Sequence, residues 1–418
     1  MEPAASLPRD ARVVDAGRAF ADAERAFAAV ELLERERGTR AVGRPRSERR
    51  ARSRRPRIAF LGSRGIPARY GGFETFVEAL STRLVERGVD VTVFCEGASG
   101  EREHRGVELR HVRAWAPGPL RTLQFDGQCL ASACRGFDVV YMLGYGSSPF
   151  CALPRLFGRQ VWINMDGLEW RRSKWSPLAR AWLRACERIA AATGSRLVFD
   201  NAALRDEVSA RLALRVPTSV LEYGAELYQR DDELEALARF GLEPRGSSLV
   251  VCRVEPENHV VEILRAHAAA NTHRPLVVVA NTEIGGACVR EVERAVGPNA
   301  RLLGSVYDQR LLLPLRRHAF DYVHGHSVGG TNPSLLEAMG CGNVVLAHDN
   351  AFNRETLAGA ALFWKTEAEL VERFQESERL APRARATLAR GCTERVRDHY
   401  NWERIADAYA ELIHEACK

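Results

Sequence analysis

The chain has 418 residues, of which 46% are hydrophobic and 27% charged, with a formal net charge of +6. That length exceeds the roughly 250 to 300 residues at which one core stops growing, so two domains are expected. No apolar run approaches the roughly 20 residues that a membrane-spanning helix needs, and the first residues lack a basic start followed by an apolar segment. A cytoplasmic protein is the expectation, and an integral membrane protein is not.

The ten cysteines lie scattered in apolar surroundings such as VFCEG, LRACER and LVVCRV, without a CxxC pair. Such cysteines read as small buried side chains in a reducing compartment, and no metal site is assigned. The charge is localised. Residues 1–57 hold 15 basic and 9 acidic residues, a net of +6, so the remainder of the chain is neutral. Within residues 1–56, taken as an extension outside the domains, DAGRAFADAERAFAAVELLERERG has apolar residues at helical spacing. The stretch RGTRAVGRPRSERRARSRRPR, residues 37–57, lacks the apolar content to build a core and reads as a disordered tether. It is either a solvated linker or a peripheral contact with anionic membrane at the inner face. Nucleic acid is not expected as a partner, because no aromatic residue is interleaved for stacking.

From Arg57 the pattern changes. RIAFLG is a short apolar run ending in glycine, FETFVEALSTRLVERG has helical spacing and a glycine stop, and VDVTVFCEG is a second strand. Together they form a βαβ unit, which opens a parallel sheet wrapped by helices. FDVVYMLG, RQVWINMDG, SRLVFDN and TSVLEYGAE continue the series to residue 226. The stretch YQRDDELEALARFGLEPRGSS reads as a charged, helical linker. A second series follows, from SLVVCRVEPEN and HVVEILRAHAAAN through FDYVHGH and SLLEAMGCG to NVVLAHDN. The expected architecture is α/β, with two Rossmann-like domains, 57–226 and 227–399, facing each other across a cleft. A C-terminal helix within 400–418 completes the first, presenting Trp402, Ile405, Tyr409 and Leu412. Ligands of open α/β sheets bind beyond the carboxyl ends of the strands.

Four groups of residues stand at such ends. Gly71 and Gly72 lie between the first strand and first helix, where adjacent glycines allow a backbone to approach a ligand and helix amides favour anionic oxygens. A simple turn with Glu74 set against the helix dipole explains them equally well. Arg253 ends the first strand of the second half and can fork onto a phosphate, or pair with Glu255 or Glu257; Asn258 and His259 follow it as further donors. Gly329, Gly330, Thr331 and Asn332 expose amides and a hydroxyl at the start of a helix expected over 333–340. Glu337, one turn in among apolar neighbours, can accept from both hydroxyls of a ribose. Asp166, at a strand end in the first half, suits a sugar or acceptor hydroxyl, with Arg171, Arg172, Lys174 and Trp175 close behind; an Asx-turn before Gly167 is the alternative.

Taken together, SRGIPARYGGFETFVEALS, DGLEWRRSKWS, CRVEPENHVVEIL, HGHSVGGTNPSLLEAMGCG and AHDNAFNRETL resemble the rhamnosyltransferase-like branch of glycosyltransferase family 4, from about Arg57 to the C-terminus. The resemblance implies a GT-B fold and a nucleotide-diphosphate sugar, dTDP-rhamnose or a UDP-sugar, held mainly by the second domain. It further implies an acceptor bound by the first domain through Asp166, Arg171 and Arg172, retention of anomeric configuration, and no cofactor or metal. Glu337 matches the second glutamate of the family's Glu-x7-Glu motif, which holds the ribose. Arg253 matches the arginine that neutralises the leaving diphosphate, and Gly71 and Gly72 match the glycine loop beside it. Asp166 falls where many relatives carry a histidine.

Two positions depart from the family pattern. Gly329 replaces the first motif glutamate, which shifts sugar recognition to loop amides or to Thr331 and Asn332. The lysine that accompanies the arginine is absent, with Asn258 or His259 in its region. The expected activity is transfer of a hexose or deoxyhexose, rhamnose favoured, to a lipid-linked or polysaccharide acceptor in bacterial cell-envelope glycan synthesis. The alternatives are a nucleotide-sugar epimerase and a catalytically silent protein that binds sugar nucleotides or glycans.

Overall fold

A computed structural model describes residues 54–68, 71–98, 100–283 and 285–418. The helix expected within 15–38 and nearly all of the basic stretch 37–57 lie outside the described residues.

The first half opens with β1 (Arg57–Leu61), α1 (Gly72–Glu86), β2 (Asp90–Glu96), β3 (Glu103–His104) and β4 (Val107–Val112). It continues with α2 (Pro119–Ser132), β5 (Val139–Leu143), α3 (Ser148–Leu156), β6 (Gln160–Asn164) and α4 (Pro177–Thr193). β7 (Arg196–Phe199), α5 (Ala202–Arg211) and β8 (Thr218–Val220) close it. The eight strands run in the order β3-β4-β2-β1-β5-β6-β7-β8, parallel except for the β3–β4 pair. All five residues of β5, VVYML, are buried, as expected of a central strand covered by helices on both faces.

The second half contains α6 (Glu235–Arg239), β9 (Ser248–Val251), α7 (Val260–Ala270), β10 (Leu276–Val279), α8 (Ala287–Ala295) and β11 (Ala300–Gly304). Next come α9 (Gln309–Arg317), β12 (Tyr322–His324), α10 (Pro333–Gly340), β13 (Val345–His348), α11 (Ala351–Leu357) and β14 (Leu362–Trp364). The helices α12 (Glu367–Arg379), α13 (Pro382–Asp398) and α14 (Trp402–Ala416) follow. Its sheet is ordered β11-β10-β9-β12-β13-β14. The chain therefore has an α/β fold of two Rossmann-like domains, and in each sheet the strand order reverses beside the strand that opens the series, β1 in one and β9 in the other.

The stretch between the domains is less helical than its pattern suggests. Only the five residues of α6 are helical, because the acidic residues before it are drawn into side-chain pairs. Arg317 donates to Asp231 at 2.8 Å and the Tyr228 hydroxyl to Glu233 at 2.5 Å, which pins the segment along the second domain.

Helix α14 returns to the first domain and packs on α1. Arg83 and Arg87 of α1 reach Glu403 at 2.8 Å each, and Arg87 reaches Asp407 at 2.6 Å. Beneath these exposed pairs, Tyr409 and Tyr141 share a hydroxyl hydrogen bond of 3.0 Å, and Phe76 meets Tyr223 edge-on at 4.9 Å. Full burial of such side chains stabilises by roughly 2 to 3 kcal/mol each, so this contact holds mainly through its aromatic layer and much less through its ion pairs.

Candidate functional site

A cavity of about 600 Å³ lies where the carboxyl ends of β1, β5, β6 and β7 face the loops after β9 and β12. Its walls include Gly71, Gly72, Asp166, Arg172, Arg253, Gly329, Gly330, Thr331 and Asn332. Arg171, Asn258 and Glu337 are not among the residues that line it.

The turn after β1 requires glycine. Gly62 has φ +87°, and a Cβ there would lie 2.3 Å from the carbonyl oxygen of Leu143. Gly71, at φ +93°, caps α1, and Glu74 folds back so that its carboxylate accepts from the Arg64 amide at 2.8 Å. Glu74 thus shapes the loop. Gly72 sits against Pro333, the first residue of α10, with only 3.5 Å between the position of a Cβ and the proline ring. Two helix N-termini, one from each domain, therefore meet at one point of the cavity wall. α1 presents its N-terminal amides and positive dipole end there, whereas α10 begins with Pro333, which has no N–H, and its Ser334, Leu335 and Leu336 amides donate to Asn332, so it contributes its dipole end alone.

Arg253 stands beside them. Its side chain is 60% exposed, with Glu255 at 4.0 Å. Asn258 holds the arginine's backbone from behind: its amide donates to the Arg253 carbonyl at 2.8 Å, and its oxygen accepts from His326 Nδ1 at 2.8 Å. This bond makes Nδ1 the donor, and the ring also meets the backbone of Val328. Burial, followed by the neighbouring His324, pushes the His326 imidazole well below its usual range, so it is neutral at pH 7. His259 is committed elsewhere, to Ser327 at 2.9 Å and to a ring stack on His348 at 4.9 Å.

The 329–332 loop forms the seam between the domains. The Thr331 amide donates to Asp200 Oδ2 at 3.0 Å and its hydroxyl to the Asp200 carbonyl at 2.6 Å. Asn332 caps α10 by accepting from the Ser334 amide at 2.9 Å. A Cβ on Gly330 would fall 1.9 Å from Asp200 Oδ1, and one on Gly167 would fall 2.9 Å from the Gly329 Cα. Glycine at 329 and 330 thus lets the two backbones close on each other. A glutamate at 329 would have to point its side chain away from His326, whose Nε2 lies 3.2 Å from the Cβ position.

Asp166 and Asp200 form the polar floor. Burial raises the Asp166 carboxyl to about 6, against the pull of Arg172 and Arg253. Burial and the charge of Asp166 raise Asp200 much further, and Asp200 Oδ1 has no hydrogen-bond partner. The two carboxyls therefore titrate as a coupled pair, each held above the usual carboxylate range by burial and by the charge of its neighbours. Arg172 is a seam residue, 2.6 Å from Glu169 and 3.2 Å from Glu255 of the other domain. Arg171 turns the opposite way, to Glu207 at 2.5 Å and over the Trp170 ring.

Glu337 projects from α10 toward Arg316, 2.7 Å away. That arginine is 1% exposed, and its Nε and Nη1 have no partner, so Glu337 balances a buried cation. Among the described residues, no group of three or more His, Cys, Asp and Glu side chains is placed to hold a metal ion.

Reading along the sequence missed Asp200 and His326. Asp200 ends the strand segment SRLVFDN just as Asp166 ends INMDG, so the same strand-end signal marks it. His326 lies in the loop already singled out, but only its contacts distinguish it. The aromatic side of the cavity, Tyr145, Trp175 and Trp182, comes from three separate segments and has no sequence signature.

The family model described as Domain of unknown function (DUF1972) matches residues 56–226. No curated protein sequence matches the chain. Among solved structures, the chain is similar to the sucrose-phosphate synthase of Thermosynechococcus elongatus, at 18% identity and a TM-score of 0.73 over 86% of this chain and 99% of that one. It is also similar to Anabaena HepE in complex with UDP and glucose, at 17% identity and a TM-score of 0.69 over 86% and 100%. A glycosyltransferase of Rickettsia africae aligns at 10% identity and a TM-score of 0.67 over 88% and 100%. These likenesses extend over nearly the whole of each structure, and the architecture they share with this chain is the GT-B fold.

Proposed function

We propose that the chain is a GT-B glycosyltransferase of the family 4 type, moving a hexose or deoxyhexose, rhamnose favoured, from a nucleotide-diphosphate sugar to a lipid-linked or polysaccharide acceptor of the cell envelope. The observation that carries this reading is the meeting of the α1 and α10 N-termini beside Arg253, facing Asp166 across the cavity. A leaving diphosphate needs such a concentration of positive potential in a space that excludes water. The fold supports the reading, and HepE, which shares it, is described as bound to UDP and glucose.

The proposed chemistry is front-face displacement with retention. The acceptor hydroxyl enters on the side from which the diphosphate departs, and a diphosphate oxygen takes its proton. Arg253, the N-terminal amides of α1 and the dipole end of α10 stabilise the growing charge, while Asp166 orients a hydroxyl of the reacting sugar. Glu337 is assigned to the ribose, which places the nucleoside along α10 beyond the cavity. No metal is required in this scheme, and the work is done at the cytoplasmic face of the membrane, with residues 37–57 as an additional basic contact.

The test supplies each of dTDP-rhamnose, UDP-glucose and GDP-mannose with an extract of envelope lipids and glycans, in EDTA, and measures release of nucleoside diphosphate. Release that depends on both one donor and the extract supports the proposal. Conversion of a donor to another sugar nucleotide without the extract would establish an epimerase instead, and no change in any donor would favour a binding protein.

A further inference from the structure

The face of the first domain that carries α2, α3 and α4 is built unlike the rest of the surface. These helices cover one side of the eight-stranded sheet, and their inner residues Phe125, Cys129, Cys151 and Cys186 are buried against it. In α3, Cys151 points inward, so at about 100° per residue positions 150, 153 and 157 point outward. They are Phe150, Leu153 and Phe157, exposed by 40%, 38% and 46%. A helix that is apolar on its outer as well as its inner face belongs against a second apolar phase. Trp115, ahead of α2, and Leu178, in the first turn of α4, extend the apolar surface at 71% and 67% exposure. Of the ten large hydrophobic side chains exposed among the described residues, seven fall between positions 115 and 178.

The charge on this face is one-sided. Residues 113–137, 147–159 and 176–194 contain eight arginines and two carboxylates. The two carboxylates, Asp126 and Glu187, are 3% and 2% exposed. Arg121 is paired with Glu96, and Arg155 and Arg159 donate to backbone carbonyls without losing their charge, so the net outward charge is positive. Pro119, Thr122, Ser147 and Ala179, at the N-terminal ends of the same helices, line the cavity. The apolar face and the mouth of the site are continuous.

We propose that this face docks on the surface of an anionic lipid bilayer, with Phe150, Leu153 and Phe157 entering the headgroup boundary and the surrounding arginines pairing with lipid phosphates. Burial of apolar area combined with attraction to anionic lipid is the energetic basis of interfacial binding. Docking stands independently of the transferase reading; only its consequence, that the cavity mouth receives a lipid-borne acceptor without its leaving the membrane, rests on that reading.

The experiment uses the full chain and vesicles of phosphatidylcholine alone or with phosphatidylglycerol, in sedimentation without donor or acceptor, so that failure of docking and failure of transfer are seen separately. The parent should bind the anionic vesicles only. Leu153→Glu with Phe157→Glu should lower that binding by at least about tenfold with the melting temperature unchanged, as should Arg184→Ser with Arg188→Ser, whose melting temperature falls slightly because Arg184 lies over the Trp170 ring at 4.5 Å. Equal binding by the parent and both double variants would overturn the proposal and leave the basic residues 37–57 as the membrane contact. Absence of vesicle binding by the parent would overturn it as well. So would a parent dimer that Leu153→Glu with Phe157→Glu dissociates without affecting vesicle binding, because the face would then be an interface between copies.

Discussion

Replacing Asp166 by asparagine should stabilise the protein while removing its proposed activity, and the gain should grow with pH. The carboxyl is raised from its ordinary 3.8 to about 6, mainly by burial, so it binds its proton more tightly in the folded chain than in the unfolded one. Stability is then greatest below pH 4, declines as the pH rises through about 6, and levels off above. At 1.36 kcal/mol per pH unit, the full cost of the ionised group is about 3 kcal/mol, reduced to about 2 kcal/mol because the side chain is only half-buried. Part of that cost is already present at pH 5, so the advantage of Asp166→Asn over the parent should widen by about 1 kcal/mol between pH 5 and pH 8. Thermal unfolding of both proteins at the two pH values measures it, as a difference in Tm that widens by about one to two degrees. The direct titration of Asp200 is largely common to both chains, and the difference reports Asp166 with its coupling to that neighbour. A variant less stable than the parent at pH 8, or a gap that does not change with pH, would show that Arg172 and Arg253 fully compensate the charge, and would refute the argument.

Three further outcomes follow from the geometry. Arg253→Ala should lower kcat by about 100- to 1,000-fold, the usual cost of removing one charge-stabilising donor, with little change in Tm because the side chain is 60% exposed; an unchanged kcat excludes it from the reaction. Gly330→Ala places a Cβ 1.9 Å from Asp200 Oδ1, so it should open the seam, seen as a larger radius of gyration in solution scattering together with lost turnover; an unchanged radius would contradict the close packing. Glu337→Ala leaves the buried Arg316 guanidinium without its carboxylate and should cost about 3 kcal/mol of stability, whereas Glu337→Gln keeps an acceptor and should mainly weaken nucleotide binding. If both variants melt like the parent, the ion pair is not holding α10.

The alternation of strands and helices was legible because each central strand is a short apolar run ended by glycine or a polar residue, as in RIAFLG and FDVVYMLG. The 333–340 helix could be read for a local reason: Asn332 caps it and Pro333 fits its first turn. The linker after residue 227 was not, since its helical pattern yields to the pairing of Asp231 with Arg317, 86 positions away, and to the Tyr228–Glu233 bond within the segment. The same limit applies at the site. Arg171 and Arg172 are adjacent, yet one turns to Glu207 and the other to Glu169 and Glu255, because the short 3-10 turn at Glu169–Arg171 sends consecutive side chains in different directions. Glu337 looked solitary in sequence because its partner, Arg316, is on another helix 21 positions earlier. The pairing of Asp166 with Asp200 arises from neighbouring parallel strands, β6 and β7, a relation that only the sheet order reveals.

On the proposed mechanism, the meeting point of α1, α10 and Arg253 receives the diphosphate of a sugar nucleotide. Thermal shift of the parent and of Arg253→Ala against dTDP, UDP, GDP and their sugars tests it most directly, since a ligand that binds only the folded state raises its melting temperature. The parent should show a rise with one of the three nucleotides and a larger rise with its sugar, and Arg253→Ala a much smaller one. Equal shifts in the two proteins, or no shift with any nucleotide, would contradict it.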